Sequence, residues 1–230
     1  MMNLKLIFID IDNTLLDFDA YTEEALKSGF KKFRLNYSSH VLDVFHEENN
    51  ALWKKLEKGE ITFEKLKEIR FQNVFNHLKI DFDGKEFESY YRDNLTESAI
   101  PVNHAHEMLK YLNNKYLLAA ASNGPYLQQL HRLSLANMDS YFSYFFISEK
   151  LGFSKPSTNF FKLAFDEINK NNSFPISPNE SCIIGDSLSS DIQGGKNYRM
   201  KTCYFDKHHN KTIVDSDYVL EDLLDVKKFF

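Results

Sequence analysis

The chain has 230 residues, 43% of them hydrophobic and 27% charged, with 21 Phe and 12 Tyr to fill a core and only 8 Gly and 5 Pro. That composition excludes intrinsic disorder and collagen-like or low-complexity architecture, and the length allows one large domain or a core with a smaller companion. A formal net charge of -5 disfavours nucleic acid polymers as partners, two cysteines are too few for a disulfide scaffold, and no apolar stretch approaches the roughly 20 residues of a membrane span.

The first predicted element is a buried parallel strand over residues 4–9, an apolar and β-branched run that ends at Asp10. Lys5 lies inside this run and no small-residue cleavage site follows, so no signal peptide is read here and a cytoplasmic location is expected. From about residue 22 to residue 94 the pattern is helical. One helix opens at Thr22, a second spans 41–58 until Gly59 breaks it, a third starts at the capping residue Thr62 and runs towards Leu78, and a fourth covers 87–95. Beyond Pro101 helices and strands alternate: helix 105–113, strand 116–121, helix 126–135, strand 144–148, helix 159–169, strand 181–185, a helix from 190 to 197, and short strands at 201–205 and 218–220. Cys182, inside the strand 181–185, reads as a small buried hydrophobe. Alternation of this kind predicts an α/β fold, a doubly wound parallel sheet, with a helical bundle inserted after the first strand. The expected boundaries are 1–16 with 96–230 for the core and 17–95 for the insert.

Open parallel sheets bind ligands at the carboxyl ends of their strands. Those ends carry Asp10 and Asp12 after the first strand, Ser122 and Asn123 after the second, and Asp186 after the fourth, with Lys155 in the loop after the third. Each alone has a plainer reading: a solvated turn for Asp10 and Asp12, a helix cap for Ser122 or Asp191, a solvated loop lysine for Lys155. Together they describe a cluster of carboxylates that would repel one another unless a hard cation such as Mg²⁺ bound to their oxygens. With that cation and Lys155 nearby, Asp10 stays ionised and can attack phosphorus.

The ordered set Asp10-Ile11-Asp12-Asn13-Thr14, Ser122-Asn123-Gly124, Lys155-Pro156 and Gly185-Asp186-Ser187 to Asp191 resembles the haloacid dehalogenase-like superfamily. All four motifs of that superfamily are present in order, and the helical block between the first and second resembles its cap. Leu52-Trp53, Gly59-Glu60-Ile61-Thr62, Arg70-Phe71-Gln72, Leu127-Gln128, Ile147-Ser148-Glu149 and Ser190 to Gly195 are similar to the pyrimidine 5'-nucleotidases of the YjjG type. Asn13, Tyr204 and the stretch 196–200 depart from that pattern.

The resemblance implies a Rossmannoid core and a set of roles. Asp10 is the nucleophile that forms an aspartyl-phosphate. Asp12 is acid for the leaving alcohol and then base for water, while its backbone carbonyl binds Mg²⁺. Ser122, the Asn123 backbone and Lys155 hold the phosphoryl group. Asp10, Asp12 and Asp186 are the metal ligands, with Asp191 in their outer shell. Asn49, Trp53 and Phe71 of the cap are candidates for reading the leaving group, although for Trp53 and Phe71 a place in the cap's own core is the favoured reading, because aromatics most often fill cores. The expected partner is a small phosphate ester, a nucleotide, and the expected activity is Mg²⁺-dependent hydrolysis of nucleoside 5'-monophosphates. The alternatives are a sugar-phosphate phosphatase or phosphomutase, a 2-haloacid dehalogenase, and a phospho-aspartate module without turnover. Asp12 and Asp186 argue against the dehalogenase, which needs neither, and a base at Asp12 argues for turnover.

Overall fold

The computed structural model describes residues 4–170, 173–209 and 214–230. It divides into two compact units, 1–17 with 99–230 and 18–98, against expected boundaries at 16/17 and 95/96.

The first unit is built on six parallel strands in the order β3-β2-β1-β4-β5-β6. They are β1 (Leu6–Ile9), β2 (Leu117–Ser122), β3 (Tyr144–Ile147), β4 (Ser181–Gly185), β5 (Lys201–Phe205) and β6 (Tyr218–Leu220). Strand alternation divides the core in two. Ile7, Ile9, Leu118, Ala120, Cys182 and Ile184 face one cluster, and Leu6, Phe8, Ala119, Ala121 and Ile183 face the other. β1 is therefore buried on both sides, which is why its sequence is an unbroken apolar run. The helix at Ala105–Asn113 buries Ala105, Met108, Leu109 and Leu112 in the first cluster. The helix at Thr158–Lys170 buries Phe160, Phe161, Ala164, Phe165 and Ile168 in the second. Both show the three- and four-residue spacing of an amphipathic helix. Several short features escaped the sequence pattern, among them a four-residue helix at Ser148–Leu151 and a π-helical turn at Leu188–Ile192. Both are shorter than the two turns that make a periodicity visible.

The second unit contains α1 (Phe18–Lys32), α2 (Ser39–Glu57), α3 (Phe63–Leu78) and α4 (Gly84–Thr96). Thr62 caps α3, its hydroxyl accepting from Lys65 N at 3.1 Å, as the sequence predicts. The interior is aromatic. Phe71 is fully buried, and its ring centroid lies 4.6 Å from that of Phe87, 5.1 Å from Tyr91 and 5.5 Å from Phe45. Within this core Arg70 forms a two-pronged ion pair with Glu88, 2.7 and 3.0 Å, and donates to Asn49 Oδ1 at 3.1 Å. Such a buried charge is tolerated because every prong meets an acceptor. Phe71 and Asn49, candidates above for reading a leaving group, are interior residues of this unit in the structure. A large ring and a helix-borne amide gain more from packing and from Arg70 than from facing solvent. Trp53 is half-buried, 5.9 Å from the Phe63 ring.

Among the described residues, no helix is long and apolar enough to cross a membrane.

Candidate active site

The sheet order reverses beside β1, because the chain runs from β1 out to β3 and returns to place β4 on the opposite side. Such a switch point leaves a crevice at the strands' carboxyl ends. Asp10 follows β1 there, with its N–H donating to Ile184 O at 2.9 Å. Asp186 follows β4. Carboxylate oxygens of Asp10, Asp186 and Asp191 all lie within 4.8 Å of one another. Just after Asp12 the chain turns sharply, over residues 13–15. Asn13 takes a left-handed conformation, φ 59°, which asparagine tolerates better than most residues. Asn13 and Asp17 both accept from Lys207 Nζ, at 2.9 and 2.6 Å, which ties this turn to the segment that follows β5.

Lys155 sits in the loop before the helix Thr158–Lys170 and is 1% exposed. Its ammonium has three protons, and each meets an acceptor at 2.6 Å: Asp10 Oδ1, Asp191 Oδ1 and Ala121 O. The solvated-lysine reading is excluded. In this arrangement no ammonium proton is left over for a further acceptor. Burial by itself would lower the Lys155 pKa, but the two adjoining carboxylates outweigh it and hold the ammonium above its ordinary range. Burial dominates at Asp10, pushing its pKa up to about 7 against the pull of Lys155. Two buried carboxylates thus share one buried cation, with Asp186 beside them. An all-oxygen donor set with surplus negative charge fits a hard divalent cation.

Asp191 is deeper than a helix cap would be. It is 0% exposed and accepts from Ser187 N at 3.1 Å as well as from Lys155. Gly185 makes room for it: a Cβ there would lie 2.2 Å from Asp191 Oδ2. Because Asp191 is pinned from two sides, it has little room to yield. Gly185→Ala is expected to lower unfolding stability by about 1–3 kcal/mol, as overpacking does, and to weaken Mg²⁺ affinity. Urea denaturation and a calorimetric Mg²⁺ titration measure the two effects, and unchanged values for both would remove Asp191 from the site.

Ser122 ends β2 and is 2% exposed. Asn123 is tied to the Lys155 loop, donating to Lys155 O at 2.9 Å and accepting from Lys155 N at 2.8 Å. Its side chain is therefore a brace, and any phosphate contact falls to its main chain. Asp12 does not join the other carboxylates with its side chain. Its oxygens accept instead from Arg132 Nη1 and Gln129 Nε2, each at 2.6 Å.

Gln129 and Arg132 were not singled out from the sequence, where Leu127-Gln128 drew the comparison. Both lie on the helix Tyr126–Leu135, which buries Gln128, Gln129 and Arg132 while Leu127 is 77% and Leu135 44% exposed. The available signal was two polar residues three apart on the stripe that also carries Leu133.

A family model described as haloacid dehalogenase-like hydrolase matches residues 4–198. Pyrimidine 5'-nucleotidase PynA of Streptococcus pneumoniae is 34% identical over 230 residues, covering 97% of this chain and 95% of its own. Pyrimidine 5'-nucleotidase YjjG of Escherichia coli is 28% identical over 207 residues, covering 89% and 87%. The crystal structure of the HAD-hydrolase YfnB of Bacillus subtilis, bound to magnesium, superposes with a TM-score of 0.89 at 26% identity, covering 98% of this chain and 97% of its own.

Proposed function

The chain belongs to the haloacid dehalogenase-like hydrolase family, and from that premise we propose that it is a Mg²⁺-dependent phosphomonoesterase acting through an aspartyl-phosphate, with nucleoside 5'-monophosphates as substrates. The observation that carries the reading is the convergence of Asp10, Asp186 and Asp191 around Lys155, beside a fourth carboxylate, Asp12, held apart by its own partners. Nucleophile and proton carrier are thus separate groups in different electrostatic settings, as two-step covalent hydrolysis needs.

Asp10, Asp186 and the Asp12 backbone carbonyl would hold the ion, with Asp191 behind them. A bound Mg²⁺ supplies charge neutralisation for the phosphoryl oxygens. The rest falls to the chain. The Asp10 carboxylate attacks phosphorus in line with the ester oxygen. Asp12 gives a proton to the departing alcohol, and the P–O ester bond breaks as the aspartyl-phosphate forms. Ser122 and the Asn123 main chain orient the phosphoryl oxygens, while Lys155 compensates their charge. Asp12, now the base, takes a proton from water as the water attacks phosphorus, which frees Asp10 and inorganic phosphate. Nucleotide preference is supported by two pyrimidine 5'-nucleotidases at 34% and 28% identity along most of the chain. Trp53, half-buried on the helical unit, remains the proposed ring for contact with a base.

A side-by-side assay of phosphate release tests this. Pyrimidine nucleoside 5'-monophosphates should be cleaved faster than hexose or triose phosphates, with activity abolished by EDTA and restored by Mg²⁺. Metal-independent halide release, or a stable acyl-phosphate without turnover, would overturn it.

A further inference from the structure

We propose that Gln129 and Arg132 are positioning residues that clamp Asp12 and Ser122 together, holding the proton carrier and the phosphate donor in one fixed geometry. The inference rests on the acid–base role proposed for Asp12.

The two residues lie three apart on one helix and so present to one face. Arg132 Nη1 donates to Asp12 Oδ1 at 2.6 Å and to Gln129 Oε1 at 2.9 Å. Gln129 Nε2 donates to Asp12 Oδ2 at 2.6 Å and to Ser122 Oγ at 2.7 Å. These partners allow the Gln129 amide only one orientation. A flipped amide would turn its oxygen towards two acceptors and its NH₂ towards a guanidinium. Both groups touching Asp12 are donors, so the clamp fits the carboxylate as an acceptor and fixes its plane, leaving one lone pair on each oxygen for proton transfer.

Ser122 is directed by the same contact. Its oxygen accepts from Gln129 and, at 3.0 Å, from Gly124 N. With both lone pairs taken, the hydroxyl proton is what remains to meet a phosphoryl oxygen. Apolar packing does not explain why Gln129 and Arg132, both 1% exposed, are inside while Leu127 on the same helix is 77% exposed. A glycine keeps the arrangement open: a Cβ on Gly124 would lie 2.7 Å from Gln129 Nε2. Gly124→Ala therefore pushes on the clamp without removing a charge.

The test is burst kinetics on p-nitrophenyl phosphate with magnesium chloride. Its phenolate leaves without a proton, so only the second step depends on Asp12. Arg132→Met, Gln129→Ala and Gly124→Ala should each lower kcat by about 10- to 100-fold, the scale on which supporting residues act, with KM falling in parallel so that kcat/KM is little changed. Each should also release a burst approaching one p-nitrophenolate per enzyme before the slow phase. Arg132→Lys, which keeps the charge, should recover part of the loss. Wild-type kcat in the three variants, a raised KM at constant kcat, or a loss that tracks the unfolded fraction in thermal melts would each overturn the proposal. The function reading fails separately: Asp10→Asn with substantial turnover removes the nucleophile, whereas an inactive Asp10→Asn beside fully active clamp variants removes only the clamp.

Discussion

Asp10→Asn should reduce phosphate release by about 10⁴-fold or more, the scale of losing an enzymatic nucleophile, and yet make the metal-free protein harder to unfold at pH 8. The two effects have one cause. Asp10 and Asp191 are both buried against the single cation of Lys155, so the metal-free cluster carries surplus negative charge. Burial raises the Asp10 pKa from 3.8 to about 7. Between those values the folded protein holds a proton that the unfolded chain has shed. Stability from this group therefore falls as pH rises from about 4 to about 7 and stays low above. Asparagine removes that penalty, keeps an acceptor for Lys155, and leaves Asp191 and Lys155 as a neutral pair. The thermal midpoint in EDTA should be higher for Asp10→Asn than for the natural chain at pH 8, with the gap closing towards pH 4. Equal midpoints at pH 8 would show that Asp10 is not electrostatically strained, and retained turnover would show that it is not the nucleophile. Such opposition between stability and activity is common at active sites.

Lys155→Met should act in the opposite direction on stability. It leaves two buried carboxylates and the Ala121 carbonyl without their shared donor. Removing one partner of a buried ion pair typically destabilises by about 3–5 kcal/mol, and activity should be lost as well, because the charge that compensates a phosphoryl group goes with it. The folded-state pKa of Lys155 lies above the ordinary 10.5, so its stabilisation is present in full below that value and is lost only as the solution becomes strongly alkaline. The comparison therefore belongs at neutral pH. Urea unfolding at pH 7.5 measures it, and an undiminished free energy would mean that the three 2.6 Å contacts contribute no net stability. Asp10→Asn and Lys155→Met alter the same charge cluster by one unit each, with opposite signs. A shift of both in the same direction would break the electrostatic account.

The sequence by itself determined the sheet and the addresses of its chemistry. Strands such as Leu6–Ile9 and Ser181–Gly185 are short apolar runs bounded by polar residues, and that local signal survives without knowledge of neighbours. Asp10, Ser122 and Asp186 were legible because strand ends in an open parallel sheet share one edge, so the pattern of elements already implies proximity. That Asp191 joins this cluster was legible, but not its depth. That depends on the space left by Gly185 and on a lysine 36 residues earlier in the chain.

Only the tertiary structure decided which polar groups satisfy which. A glutamine and an arginine on a helix look solvent-facing until the partner carboxylate, 117 and 120 residues away, is placed beside them. For Phe71 the sequence allowed both a ligand contact and a place in the core, and only the structure shows the ring enclosed by Phe45, Phe75, Phe87 and Tyr91, drawn from two other helices and its own. The reason is the same in both cases. Periodicity reports what a segment buries on average, whereas a hydrogen bond or a ring contact is a property of two segments at once, and the free energy of burying a polar group changes sign with the presence of its partner.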